Sequence, residues 1–196
     1  MPNSVVCEVH PGRIGRRARG ERGSQAAWAI DRALVGALAG IAGTVAMTAA
    51  MRALHRRLPH GQRYPLPPRE IIEGSLPEPV KHETGEQGRR TATLAAHFGY
   101  GAAAGAIYAL AAPKDGLAGG ALYGVMVWAG SYFLEMPGLG ILEPAHRHPL
   151  ERNLLMIGAH LVWGGTLGLA VRELQLAERE IFATDVAPDR REPHPP

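Results

Sequence analysis

Two histidines lie inside stretches that are otherwise apolar and free of charge, and their chemistry makes them the first candidates for a functional site. His97 belongs to the stretch AHFGYGAAAG, residues 96–105, and His160 belongs to AHLVWGGTLG, residues 159–168. An imidazole can form hydrogen bonds, change its charge near neutral pH or bind a metal ion. A titratable side chain within an apolar helix is a functional candidate by default.

Three roles for this histidine pair remain open from the sequence. Each ring can bond a backbone carbonyl or a partner helix and so act as structural glue. The rings can instead respond to pH, with Glu135 or Glu143 as a charged partner. The pair can also hold a transition metal or a haem between the second and fourth helices, although His146 and His148 do not complete a metal motif of firm spacing. We therefore predict no resident cofactor and keep the metal or haem site as an alternative.

The sequence contains none of the motifs expected of common enzyme classes. It has no nucleophile–base pair and no HExxH motif, and its glycines are spaced four residues apart within apolar stretches. A nucleotide-binding loop instead places glycines between a strand and a helix. The single cysteine, Cys7, excludes an intrachain disulfide and a cysteine-based metal site. We predict a protein that is not an enzyme and assign no catalytic residue.

The distribution of charge identifies the elements that carry the two histidines. The chain of 196 residues has 21 Lys or Arg and 18 Asp or Glu, and all of them lie outside four apolar stretches: residues 33–51, 93–112, 116–134 and 153–171. A charge-free helix of about 20 residues spans the ~30 Å hydrocarbon core of a bilayer. A soluble bundle would need a charged outer face on each helix. The sequence predicts an all-α, polytopic membrane protein with four transmembrane helices.

The remaining residues divide into three polar regions. Residues 1–32 form a basic arm that we expect to be largely disordered, residues 33–182 form the membrane domain with a polar loop at 52–92, and residues 183–196 form a disordered, proline-rich tail. Arginines beside apolar spans are typical of loops that face anionic lipid, so we expect the bilayer and no nucleic acid as a partner. Four spans place both termini on one side of the membrane, with 11 Lys or Arg on that side and 10 on the side of the longer loops. The positive-inside rule therefore does not fix the orientation, and we favour termini in the cytoplasm.

A repeated pattern relates the two halves of the membrane domain. The second and fourth spans share Ala-His-x-x-aromatic-Gly-x-x-x-Gly, and the first and third share Ala-Leu-x-Gly at residues 33–36 and 121–124. This pattern predicts two tandem helical hairpins. Each span also has a Gly-x-x-x-Gly pair, which lets helices approach closely, either within a compact bundle or in a homo-oligomer. These glycines are Gly36, Gly40, Gly101, Gly105, Gly120, Gly124, Gly164 and Gly168.

Two short segments carry a resemblance to a known family. The first is the loop motif Pro65, Leu66, Pro67, Pro68, Arg69 and Glu70, in which Pro68 suits the first turn of a short helix. The second is GAHLVW at residues 158–163. Together they resemble the YagU-like family of small bacterial inner-membrane proteins. The resemblance implies a multi-pass architecture in the bacterial inner membrane and implies no activity.

These observations lead to one expected function and two alternatives. We expect an accessory or stress-response membrane factor that responds to pH through histidines near the longer loops. The first alternative is a small oligomeric transporter or channel component that assembles through its glycine faces. The second is a membrane subunit that binds haem or a metal at the histidine pair.

Overall fold

The structure is a computed structural model, and within the residues it describes the fold consists of helices and short connecting segments. It describes residues 11–58, 68, 69, 71, 74, 85–111, 116–141 and 143–181, with side chains from residue 24 onward. The four long helices are α1 (Pro11–Arg57), α2 (Glu86–Leu110), α3 (Gly116–Gly130) and α4 (Leu150–Ile181).

The end of α3 departs from regular α-helical geometry. A π-helical turn, Ser131–Glu135, follows α3 directly, and a single helical turn, Met136–Gly138, continues from it. A 3₁₀ turn, Ala145–Arg147, then precedes α4. A π-helical turn changes the direction in which the following side chains point, and such turns occur frequently at functional sites.

Three helices are long and apolar enough to cross a membrane. They cover Ser24–Arg57, Gly116–Gly138 and Leu150–Ile181. Their outward faces carry large apolar side chains, including Leu34 at 60% exposure and Leu122 at 64%. A soluble helix would turn such a face inward, so these faces are suited to lipid. The fourth predicted span lies in α2, where glycine, tyrosine and histidine make the helix less apolar, and α2 is not among the three.

The helices extend beyond the predicted spans at both ends of the chain. α1 begins at Pro11, so part of the arm expected to be disordered is helical. The segment 25–29, Gln-Ala-Ala-Trp-Ala, is rich in good helix formers, and extending an existing helix is easier than starting one. α4 runs past its apolar part, residues 153–171, to Ile181. Residues 1–10 and the tail at 183–196 lie outside the described residues.

The first hairpin is built on glycine-to-glycine contact between α1 and α2. A Cβ atom on Gly36 would collide with the carbonyl oxygen of Gly105, and one on Gly40 would collide with that of Gly101. A step of four residues forward along α1 therefore matches four residues backward along α2, which makes the two helices antiparallel. The absence of side chains at these four positions lets the two backbones touch.

The second hairpin repeats this arrangement between α3 and α4. A Cβ atom on Gly120 would collide with the carbonyl oxygen of Gly164, and one on Gly124 would collide with that of His160. Gly168 lies in the same way against Gly116. The glycine pairs of all four helices are thus filled by contacts within one chain. A homo-oligomer that forms through the same faces stays a prediction.

The two hairpins dock through α1 and α4. Gly43 lies against Trp163, whose indole Nε1 donates a hydrogen bond to the carbonyl of Gly40 at 3.3 Å. On the other side of the bundle a side chain of α3 contacts α2. The Tyr123 hydroxyl donates a hydrogen bond to the backbone carbonyl of Ala104 at 2.9 Å. The result is a four-helix arrangement with its tightest contacts along α1–α2 and α3–α4.

The beginning of α2 is tied to the long loop by ion pairs around one carboxylate. Glu86 lies 3.2 Å from the guanidinium of Arg89, 3.1 Å from that of Arg90 and 3.6 Å from that of Arg69 in the loop motif. The hydrogen bond from Arg89, followed by that from Arg90 and the charge of Arg69, lowers the pKa of Glu86 below its usual value of 4.5. A negative charge is also favoured at a helix N-terminus.

This cluster predicts a small, pH-dependent contribution to stability. Because the pKa of Glu86 is lower in the folded state, its contribution is present above pH 4.5 and is lost as the pH falls through the lowered pKa. We expect Glu86→Gln to lower the melting temperature by about 1–2 °C at pH 6, since exposed ion pairs stabilise little. The difference from the wild type should be smaller at pH 3 than at pH 6. A constant difference at both pH values in thermal unfolding would contradict this assignment.

Candidate functional site: a cavity between the hairpins

A cavity of about 170 Å³ lies between the two hairpins, and every long helix contributes to its wall. The lining comes from the stretches 44–51 of α1, 96–101 of α2, 127–136 of α3 and its π-helical turn, and 156–163 of α4. These are the ends of the helices nearest the two longer loops. The cavity therefore lies towards the loop end of the bundle, where the sequence places both histidines.

The long loop also contributes to the cavity wall. Pro68 and Ile71, both helical, line the cavity together with residues of the four helices. Pro68 belongs to the loop motif, and its neighbour Arg69 pairs with Glu86. The remaining motif residues Pro65, Leu66, Pro67 and Glu70 lie outside the described residues. The described part of the motif thus connects the cavity to the start of α2.

His160 lines the cavity with one ring nitrogen bonded and the other unused. Its Nδ1 lies 2.8 Å from the carbonyl oxygen of Met156, one turn earlier in α4. Because a carbonyl only accepts hydrogen bonds, Nδ1 carries the hydrogen and Nε2 of the neutral ring keeps its lone pair. The side chain is 8% exposed, and within the described residues Nε2 has no hydrogen-bond partner. Nε2 can therefore accept a hydrogen bond or bind a metal ion.

His97 has the opposite tautomer. Its Nε2 lies 3.3 Å from the hydroxyl of Thr48, and that hydroxyl donates its single hydrogen to the carbonyl of Thr44 at 2.7 Å. Thr48 must then accept from His97, so Nε2 carries the hydrogen and Nδ1 keeps its lone pair. Both rings line the same cavity. Each histidine thus uses one nitrogen to bond a helix and leaves the other available, so structural glue and ligand binding are compatible roles.

A hydroxyl–carboxylate cluster stands at the edge of the cavity. Tyr100 and Ser131 both line the cavity, and both donate to Oε2 of Glu135, at 2.9 and 3.1 Å. The two hydroxyl oxygens are themselves 2.9 Å apart. Among the described residues Glu135 pairs with these hydroxyls and with no histidine, and the pairing of a histidine with Glu135 or Glu143 stays a prediction. Ser131 and Glu135 are the first and last residues of the π-helical turn, which the sequence did not indicate.

The other predicted loop residues lie outside the cavity wall. The Glu143 carboxylate pairs with Arg147 at 3.5 Å, and its backbone carbonyl accepts a hydrogen bond from His148 Nε2 at 2.9 Å. The His148 ring packs edge-on against Tyr132 with centroids 6.2 Å apart. His146 is exposed on the 3₁₀ turn. These residues shape the loop beside the cavity and do not join the two membrane histidines.

Methionines form a large part of the cavity wall, although they were not among the residues predicted to form a site. The side chains of α1, α4 and the turn after α3 that line the cavity include Met47, Met51, Met136 and Met156. The signal available in the sequence was their spacing, since Met47 and Met51 are four residues apart, as are Met156 and His160. Residues four apart share one face of a helix.

The described residues contain no cluster of the side chains that typically bind zinc or calcium. Among those residues no three His, Cys, Asp or Glu side chains come together in a way that could hold a metal ion. A metal site at the cavity would therefore need donors of another kind, such as thioethers.

No protein-family model, curated protein or solved structure matches the chain. The resemblance to the YagU-like family stays a prediction from two short segments.

Proposed function

We propose that this chain is a multi-pass membrane protein with four spans that binds a small ligand in the cavity between its hairpins. One observation carries the proposal: two buried or half-buried imidazoles, from α2 and α4, line an otherwise largely apolar cavity and each keeps an unused lone pair. Ligand sites in proteins are typically apolar cavities with a few polar groups that orient the ligand. The two ring nitrogens fit that description.

The fourth span in this proposal is α2. Its residues 91–110 contain no charge, and its outward face includes Ile107 at 61% exposure and Leu94 at 57%. α2 packs antiparallel against α1 through the contacts Gly36–Gly105 and Gly40–Gly101. α1 is itself long and apolar enough to cross a membrane. Four crossings would place the cavity near one face of the bilayer. A bacterial inner membrane, which the family resemblance implies, and cytoplasmic termini are part of the same proposal.

The volume of the cavity limits the size of the ligand. An engineered apolar cavity of about 150 Å³ in another protein binds benzene or xenon, and this cavity is of similar volume at about 170 Å³. A ligand of roughly six to eight heavy atoms, or a metal ion, therefore fits. A haem macrocycle is much larger than this cavity, so we do not extend the proposal to haem. The pH-responsive role and the transporter alternative stay predictions.

Binding of a small probe tests this proposal. 4-Fluorophenol has the size of the cavity and a hydroxyl that can donate to an imidazole lone pair. In a ¹⁹F NMR titration of the purified protein in lipid nanodiscs, we expect saturable binding of one molecule per chain above the linear partition into lipid. A titration that matches empty nanodiscs would contradict a ligand-binding cavity.

A further inference from the structure

The cavity brings together thioether and imidazole side chains from separate parts of the chain. Met47 and Met51 come from α1, Met136 follows the π-helical turn, and Met156 comes from α4, beside His160. Met47, Met51, Met136 and Met156 are 2–8% exposed. By contrast Met126, on the outward face of α3, is 61% exposed and takes no part in the cavity. Most methionines after the initiator are therefore concentrated at one site.

Two pairs of possible metal ligands, each one helical turn apart, line this site. Met47 and Met51 are one turn apart on α1, and Met156 and His160 are one turn apart on α4. All four line the cavity, so each helix presents two soft or borderline donors on the same face. His97 adds a second imidazole from α2.

The chemistry of these donors selects a particular class of ion. Thioethers are soft ligands that favour Cu(I), and neutral imidazole also binds copper. The described lining contains no carboxylate and no thiolate, which Ca²⁺, Mg²⁺ and structural Zn²⁺ sites normally require. Burying a charge in apolar surroundings is costly, and a monovalent ion carries the smallest charge. Glu135, held by the cavity hydroxyls of Tyr100 and Ser131, places a negative charge at the edge of the cavity.

We propose that the cavity binds a Cu(I) ion through Nε2 of His160, Nδ1 of His97 and methionine thioethers. The inference rests on the proposed function, because it names the ligand of the same cavity. Methionine also fills irregular gaps in apolar cores, where leucine of similar volume would serve equally well. Replacing methionine by leucine should therefore weaken Cu(I) binding if the sulfur is a ligand, and should leave it unchanged if methionine only fills space.

The test is an anaerobic Cu(I) titration of the protein in nanodiscs, with bicinchoninate as the competing indicator. The wild type is expected to remove one Cu(I) per chain from the indicator, and X-ray absorption of that sample should show sulfur and nitrogen neighbours. We expect the double variant Met47→Leu/Met156→Leu to bind Cu(I) at least tenfold more weakly. Met126→Leu, on the outward face, should retain the wild-type affinity, and Zn(II) should not displace the copper.

Two results would overturn the copper proposal. One is a wild type that leaves Cu(I) with the indicator, and the other is a double variant with unchanged affinity. Should the double variant fail to fold, absence of sulfur neighbours in the absorption spectrum of the wild type would overturn it equally. Saturable 4-fluorophenol binding without Cu(I) binding would refute copper alone and leave the cavity function standing. Loss of both would refute the cavity function as well.

Discussion

Replacing Gly105 by leucine is expected to lower the apparent melting temperature of the detergent-solubilised protein by about 2–12 °C. A Cβ atom at this position would collide with the carbonyl oxygen of Gly36 and with the backbone of Gly40, neither of which is a flexible side-chain end. Overpacking of a tight interface costs about 1–3 kcal/mol, and each kcal/mol shifts the melting temperature by about 2–4 °C at this chain length. The α1–α2 hairpin should separate first.

A matched variant on the same helix distinguishes packing from helix propensity. A Cβ atom at Gly99 meets no heavy atom within 4 Å, so Gly99→Leu should leave the melting temperature unchanged or raise it slightly. Gly164→Leu should reproduce the destabilisation in the second hairpin, because its Cβ would collide with the carbonyl of Gly120. Equal melting temperatures for the Gly99 and Gly105 variants would show that glycine contact does not hold the hairpins together.

The second large effect concerns the unused nitrogen of His160. His160→Leu removes the Nε2 lone pair and retains an apolar side chain of moderate size, so 4-fluorophenol should bind about tenfold more weakly. This factor corresponds to about 1.4 kcal/mol, the size of a single hydrogen bond. The ¹⁹F titration in nanodiscs measures it directly. The carbonyl of Met156 that His160 now bonds lies within α4, where the helix backbone can also satisfy it.

An exposed histidine supplies the control for that substitution. His146→Leu lies on the 3₁₀ turn outside the cavity wall and should bind the probe as the wild type does. If His160→Leu also keeps the wild-type affinity, the ring is structural glue and its second nitrogen takes no part in binding. An unchanged melting temperature for both variants would show that a loss of affinity does not arise from unfolding.

Local patterns in the sequence were sufficient for the features that depend on one helix at a time. The missing charges mark the apolar helices because desolvation excludes Lys, Arg, Asp and Glu from each stretch separately. The four-residue spacing of Gly101 and Gly105 marks a smooth face on α2 whatever helix lies opposite. His97 and His160 lie near the start of the apolar stretches 93–112 and 153–171, which follow the two longer loops. Each could therefore be placed near the loop end of its own helix.

Features that depend on several helices could not be read in this way. Met51, Met136 and Met156 meet only in the folded bundle, and methionine is also an ordinary core residue, so its type alone gives no functional signal. The contact of Tyr100 with Ser131 and Glu135 joins α2 to the π-helical turn, so it forms only when the helices pack together. Within the described residues the Glu135 carboxylate accepts hydrogen bonds from these two hydroxyls, and a carboxylate partner for the histidines stays a prediction.

The most direct test of whether the cavity binds a ligand is to fill it with a larger side chain and to measure binding of the probe. Ala96 lines the cavity and its neighbour Ala95 does not, although both are exposed positions on α2. Ala96→Trp should therefore abolish saturable 4-fluorophenol binding in the nanodisc titration, whereas Ala95→Trp should keep the wild-type stoichiometry and affinity. Equal binding by these two variants would contradict a binding site between the hairpins.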